Sequence, residues 1–405
     1  MRGSMEAEMK AKTADESEMR AWTRTSLLLG MTALIACLPT HALGVDRIVY
    51  KKDGAARSLA GRVMAEAEDG GLLLLTPDGT LWPIQPEEYS DRSRDDAPFT
   101  PLKRDEVAQQ LLNRLGPEFK VHTTVNYVIC YNTSTAYAQW CGALYERLYR
   151  GFRTFWETRG LELHDPELPL VALVFESKES YVRHVRGELG PAADSLSIVG
   201  YYSPSSNHVN MYDLTGVEGL RGGNDRVNSA TLINQILQRP EAAPMVATIV
   251  HEATHQLAYN CGLQTRFADN PVWVSEGLAM YFETPDLRNS KGWSSIGSIN
   301  RTRLIQYRKY APRRPPAALE SLLRDDARFR DPTTALDAYA EAWALNYFLL
   351  RTRSKDYVAY LKVLAAKPPV IYDDPETRLN EFRAAFGSDL AKFDAEFQRY
   401  LKKLD

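Results

Sequence analysis

Cysteine is scarce in this 405-residue sequence: there are 4, at positions 37, 130, 141 and 261, and no two form a Cys-x-x-Cys pair. That excludes a cysteine-built zinc site and gives thioredoxin-like redox chemistry no support. An excess of one charge is missing as well. Lys+Arg 49 against Asp+Glu 52 leaves a net charge of −3, whereas nucleic-acid binding usually goes with a strongly basic balance. No repeat shows at any period, and with 44% hydrophobic and 25% charged residues neither disorder nor a fibrous array fits. Long apolar runs are absent too. The one short run, at 26–37, is too brief to span a bilayer. What remains is an ordinary globular chain, long enough for two or three domains.

That run follows Arg20-Ala-Trp-Thr-Arg24 and precedes small residues, the pattern of a secretory signal over 1–43. Met19 is the expected true start, because it restores a basic region directly ahead of the run. Leu34-Ile35-Ala36-Cys37 resembles a bacterial lipobox. The chain is therefore expected to be exported, either cleaved near Thr40-His41-Ala42 and periplasmic or secreted, or held at the cell envelope by a lipid on Cys37. That lipid is its only expected tie to a membrane. In an oxidising compartment Cys130 and Cys141 could pair, or Cys130, Cys141 and Cys261 could all be small buried hydrophobes.

Residues 45–91 read as a small β module, with a Pro77-Asp-Gly-Thr turn between apolar runs. Nothing in it carries reactive side chains at a useful spacing, so it reads as a packing or interaction unit. A charged, turn-rich stretch at 90–101 reads as a linker, and 92–119 as a linker with a short helix near 104–115. From 120 to 405 the pattern is mixed. A strand is expected at 121–132, a long helix at 134–159, a buried strand at 168–175 and a helix at 178–189. Two extended arms follow over 199–213, then helices almost throughout beyond Glu241. The fold class is α+β, with a mixed sheet ahead of a helical half.

The chemistry is concentrated in His251-Glu252-Ala-Thr-His255, inside an expected helix over 243–261 that Pro244 opens and Gly262 stops. Residues four apart on a helix differ by about 40° in direction, so both imidazoles can grip one ion. Glu252 lies beside them, within reach of a water on that ion. Zinc sites of this kind take a third protein ligand. The best candidate is Glu276, in Asn270-Pro-Val-Trp-Val-Ser-Glu276-Gly-Leu-Ala-Met-Tyr-Phe-Glu283, where a carboxylate among apolar residues needs a partner. Asn270 is the expected cap of that helix and Pro271 its first residue. Glu283 returns to nearly the same face and can hold a ligand histidine from behind.

These two helical motifs resemble those of the gluzincin metallopeptidases, the clan of thermolysin and the zinc aminopeptidases. More closely, the chain resembles an uncharacterised family of exported bacterial proteins with a gluzincin-type domain, over roughly 120 to the end. The resemblance implies one Zn²⁺ per chain on His251, His255 and Glu276, Glu252 as general base, and hydrolysis of a peptide or protein substrate. It further implies a tyrosine that steadies the oxyanion from a later helix. Ala338-Tyr339-Ala-Glu-Ala-Trp343 resembles that helix, which makes Tyr339 the candidate. The Gly-x-Met-x-Asn motif of the aminopeptidases is absent, which favours an endopeptidase-like role. The arm at 200–213 is the expected strand for pairing with an extended substrate, and His208 on it is expected at the surface. Two rival readings stand beside the peptidase: a catalytically silent zinc-fold binding module at the cell surface, and a non-peptide amide hydrolase. The basic run from Arg301 to Arg314 is expected as a solvated helix face rather than a reader of acidic substrates. Gly222-Gly223 reads as a turn.

Overall fold

The computed structural model describes residues 44–52, 55–190, 199–217, 229–284 and 295–404. The signal segment with Cys37 and the Gly222-Gly223 turn lie outside them. Among the described residues no helix is long and apolar enough to cross a membrane.

The chain begins with an antiparallel sheet of β1 (Gly44–Lys52), β2 (Ala55–Glu66), β3 (Leu72–Leu75), β4 (Leu81–Ile84) and β5 (Tyr89–Pro98), ordered β4-β3-β2-β1-β5. Gly79 takes the left-handed conformation, φ 92°, that the β3–β4 turn requires. β3 is a run of four leucines because both of its faces are covered. Leu72 and Leu74 pack with Ile48, Tyr50 and Ile84, while Leu73 and Leu75 pack with Leu168 and Phe267 of the following region. The stretch expected as a linker at 90–101 is mostly β5. It pairs with β1 from Tyr50↔Tyr89 to Gly44↔Pro98. Its polar, charged sequence hides the strand because it is an edge, where charge guards against further pairing. Arg92 there reaches Asp46 and Glu66, both at 2.9 Å.

After α1 (Arg104–Leu115) comes a second sheet. Its strands are β6 (Lys120–Thr123), β7 (Tyr127–Tyr131), β8 (Leu170–Phe175), β9 (Gly200–Ser203) and β10 (His208–Tyr212), ordered β6-β7-β8-β10-β9. The single strand expected at 121–132 is a hairpin. Glu146 breaks it by accepting hydrogen bonds from Thr124 Oγ1, Asn126 N and Asn126 Nδ2 at 2.6, 2.7 and 2.8 Å. β6 and β9 are antiparallel edges, while β7, β8 and β10 run parallel. One face of the sheet carries α1 and α3 (Lys178–Leu189); the other carries α2 (Thr135–Glu157) and the helical region.

Cys130 faces the first side and Cys141 the second. The possible bridge between them is therefore not made, and all three described cysteines are buried free thiols.

Helices follow as expected: α4 (Ala230–Leu237), α5 (Ala243–Asn260), α6 (Val272–Phe282), α7 (Arg301–Tyr310), α8 (Ala318–Arg324), α9 (Ala327–Arg330), α10 (Ala335–Thr352), α11 (Ser354–Ala365), α12 (Pro375–Phe386) and α13 (Leu390–Lys402). The start of α6 differs from its expected form. Pro271 is the cap residue, and Asn270 instead donates back to Thr265 O and Ala268 O at 2.8 and 3.1 Å. The cap comes from far along the chain: Asp326 Oδ1 accepts the Val272 N–H at 3.1 Å. Arg378, itself buried, holds Asp326 at 3.0 Å and bridges to Asp269 at 3.0 Å.

Burial opposes ionisation of Asp326, but Arg378 prevails and keeps it below the usual carboxylate range. The Arg378→Met variant should lose about 3–5 kcal/mol of stability, because it leaves two buried carboxylates with only the longer ion pairs to Lys367 and Arg330. Asp326 has a depressed folded pKa, so its contribution is present above an unfolded pKa of about 3.9 and fades as pH falls below it. Urea titrations at pH 7 and near pH 3 should show the gap between variant and wild type narrowing in acid.

Candidate metal centre

α5 presents an almost wholly buried polar row: His251, Glu252, Thr254, His255 and Gln256 are each 3% exposed or less. Such a row is stable only if each group is matched. Glu252, Gln256 and Asn260, spaced four apart, meet the β9–β10 hairpin in sequence. The Tyr202 backbone N–H donates to Glu252 Oε2 at 2.7 Å. Gln256 Nε2 donates to Asn207 O at 2.8 Å and to Val171 O at 3.0 Å. Asn260 and Asn207 exchange side-chain hydrogen bonds at 2.7 and 2.9 Å, and the Tyr202 hydroxyl joins them at 2.9 Å from Asn207 Oδ1. Asn207 adopts φ 63°, which asparagine tolerates better than most residues.

With that ladder on the sheet side, His251 and His255 face α6. Their Nε2 atoms are 3.1 Å apart. Glu276 completes the cluster, with Oε2 3.2 Å from His251 Nε2 and Oε1 3.4 Å from His255 Nε2. Three donors about 2.0–2.1 Å from one ion at tetrahedral angles lie roughly 3.3–3.4 Å from each other. The three side chains approach one another at 3.1–3.4 Å, close to that figure, with Glu276 meeting the two imidazoles through different oxygens, and two neutral imidazoles with a carboxylate are the donor set zinc takes in catalytic sites. These residues could hold a metal ion.

α6 reaches the cluster through a close approach to α10. A Cβ on Gly277 would sit 1.9 Å from Asn346 Nδ2 and 2.7 Å from Ala342 O. Asn346 fills the space by donating to Trp273 O at 2.8 Å and Ala342 O at 2.9 Å.

Behind His251, Glu283 Oε2 lies 2.9 Å from Nδ1. Its other oxygen accepts from Asn300 Nδ2 at 2.7 Å and Arg303 Nε at 3.2 Å. Burial opposes its ionisation, but Arg303 and His251 hold Glu283 below the usual carboxylate range. A carboxylate in that position fixes the imidazole so that Nε2 is free for a metal. His255 has Ser275 Oγ 3.4 Å from its Nδ1.

The structure thus brings His251, His255, Glu276 and Glu283 together, with Glu252 on the same helix. Tyr339 is buried on α10, two turns before Asn346 on the same side, with its ring edge-on to Phe329 at 5.2 Å. His208, expected at the surface, is buried at 6% exposure, because β10 lies between β8 and β9. Its pKa is pushed well below the ordinary value by burial, with Arg114, His184 and Arg266 adding to the effect.

The basic run at 301–314 is not simply a solvated face. Arg303 serves Glu283, Arg313 pairs with Asp337 at 2.7 Å, and Arg314 binds Glu341 at 2.6 Å and Asp394 at 2.7 Å. Sequence reasoning missed Tyr202, Asn207, Asn300 and Arg303, whose roles depend on partners remote in the chain. The polar spacing Glu252, Gln256, Asn260 was the one local signal.

A family model described as a protein of unknown function, DUF1570, matches residues 245–371. The chain is similar to that family over α5, α6 and α10, including His251, Glu252, His255, Glu276, Glu283 and Tyr339. No curated protein matches the sequence. The match carries the candidate metal-binding residues and assigns them no activity.

Two variants probe this geometry. Glu283→Gln should weaken zinc binding by about 10–100-fold, as loss of such a supporting carboxylate does, read by competition with a chromogenic chelator. Gly277→Ala should cost about 1–3 kcal/mol through overpacking against Asn346 and Ala342, seen as a lowered melting temperature in the metal-free protein.

Proposed function

We propose that the chain is an exported zinc-dependent metallopeptidase, endopeptidase-like, acting on peptide or protein substrates. The observation that carries this reading is the His251–His255–Glu276 cluster, with edges of 3.1–3.4 Å and Glu252 seated beside it on the same helix. A bound Zn²⁺ would supply Lewis acidity and a water whose pKa lies near 7 rather than 15.7.

The chain's own residues provide the remaining steps. His251, His255 and Glu276 hold the ion, and Glu283 orients His251. The Tyr202 amide fixes the Glu252 carboxylate, which takes a proton from the attacking water and returns it to the leaving amine. Tyr339 is the proposed donor to the oxyanion of the tetrahedral intermediate. An extended substrate would lie along the β9 edge. It would have to do so without the Tyr202 N–H, which is committed to Glu252.

The test is peptide-library profiling by mass spectrometry, using zinc-loaded mature protein beside Glu252→Ala. Wild type should cut, and the variant should keep one zinc per chain while losing about 10²–10⁴-fold in rate. Equal cutting by metal-loaded Glu252→Ala would remove the general base. No cutting by either, with metal bound, would favour a binding module or a non-peptide amide hydrolase.

A further inference from the structure

The N-terminal sheet and the end of α5 line a half-open cavity of about 180 Å³. Leu73, Leu75, Leu81 and Leu168 line its apolar side, and Gln264 and Arg266 belong to its polar side. Arg62 is also in its lining, its two Nη atoms bound to Glu167 at 3.0 and 2.8 Å.

Several polar groups here are not used by the fold. Gln264 is 3% exposed; its Oε1 accepts from Ser275 Oγ at 3.4 Å, but its buried Nε2 has no acceptor. Arg62 Nε is likewise buried with no acceptor. Arg266 donates from Nη1 to Gly79 O and Pro204 O, each at 3.0 Å. Among the described residues no carboxylate lies within ion-pair distance of it. Asp78 is the nearby acid, and its oxygens are engaged by Thr76 and Thr80. Burial without a counter-ion pulls the Arg266 pKa down. Arg266 is half-buried, and a guanidinium partly withdrawn from water is normally paired, a carboxylate being its best geometric match.

We propose that this cavity binds a small carboxylate carrying a short aliphatic chain, with its charge on Arg266 and Gln264 and its chain on the four leucines. An apolar cavity of ~150 Å³ accommodates a benzene, so this one suits about eight non-hydrogen atoms. The β module then completes a binding site, which gives it a function that its own residues lack. The assignment does not rest on the peptidase reading, and its test needs neither zinc nor turnover.

Hexanoate is the probe and hexanamide its uncharged counterpart, titrated calorimetrically into the full mature chain without added metal. Hexanoate should bind once per chain, at least tenfold more tightly than hexanamide. Arg266→Met should abolish that preference. Should Arg266→Met fail to fold, Gln264→Leu keeps both Arg266 carbonyl contacts and should still weaken hexanoate severalfold. No binding of hexanoate to folded wild type would overturn the proposal. So would equal affinity for acid and amide, or a preference unchanged in Gln264→Leu.

Discussion

A carboxylate buried in an apolar helix sets the terms for this structure. Glu276 is 3% exposed between Trp273, Val274, Leu278 and Met280, and an ionised carboxylate so placed incurs several kcal/mol of desolvation. Only groups within about 4 Å can offset that, and both imidazoles of α5 lie at that distance. A divalent cation held by the same three side chains would satisfy the carboxylate and both nitrogen lone pairs at once. The tolerance is a few tenths of an ångström, since metal–ligand distances vary little. The two helices must therefore be held as firmly as the ligands themselves.

Each helix is held by a different device. α6 is set by packing: glycine at 277 lets α10 approach until Asn346 bonds to the α6 backbone, and Asp326 closes the N-terminus that Pro271 leaves uncapped. α5 is set by polar matching. Its row of Glu252, Gln256 and Asn260 engages Tyr202 N, Asn207 O and the Asn207 side chain. That ladder fixes the rotation of α5 about its axis. His251 and His255 each sit one residue before a rung, so the same rotation points them away from the sheet and toward Glu276. Glu252 and the two candidate ligand histidines are in this way positioned by one set of hydrogen bonds.

How much of this was legible follows from where each signal lives. The His-Glu-x-x-His spacing is local, so the sequence alone yields the candidate ligand pair and the helix that carries it. Glu276 and Glu283 were also legible, because acidic residues stand out in an apolar amphipathic context. The supports of Glu283 were not, since Asn300 and Arg303 lie across a long connection with no periodicity to link them. Strand β5 was missed because an edge strand needs no apolar face, and the β6–β7 break because the residue that makes it, Glu146, belongs to α2. His208 was misplaced for a related reason: a short arm reads as exposed until its neighbours β8 and β9 are known.

The same ladder bears on how the N-terminal sheet relates to the metal centre. Leu73 and Leu75 bury their outer face against Leu168 and Phe267, so the sheet is part of one packed body rather than a tethered appendage. Asn260, the last rung, borders the seam between the two, while Glu252, the first, adjoins His251 of the candidate metal cluster in the chain. Eight residues of helix separate them by about 12 Å. Communication over that distance requires an element with two discrete arrangements. α5 shows none: Glu252, Gln256 and Asn260 each hydrogen-bond to the β9–β10 hairpin, and its far side is closed by the hydrophobic core. The seam and the metal centre thus share a rigid support. A direct polar link between them runs through the weak Gln264–Ser275–His255 contacts at 3.4 Å. Such a framework favours independent sites on one scaffold, each to be assigned by its own chemistry.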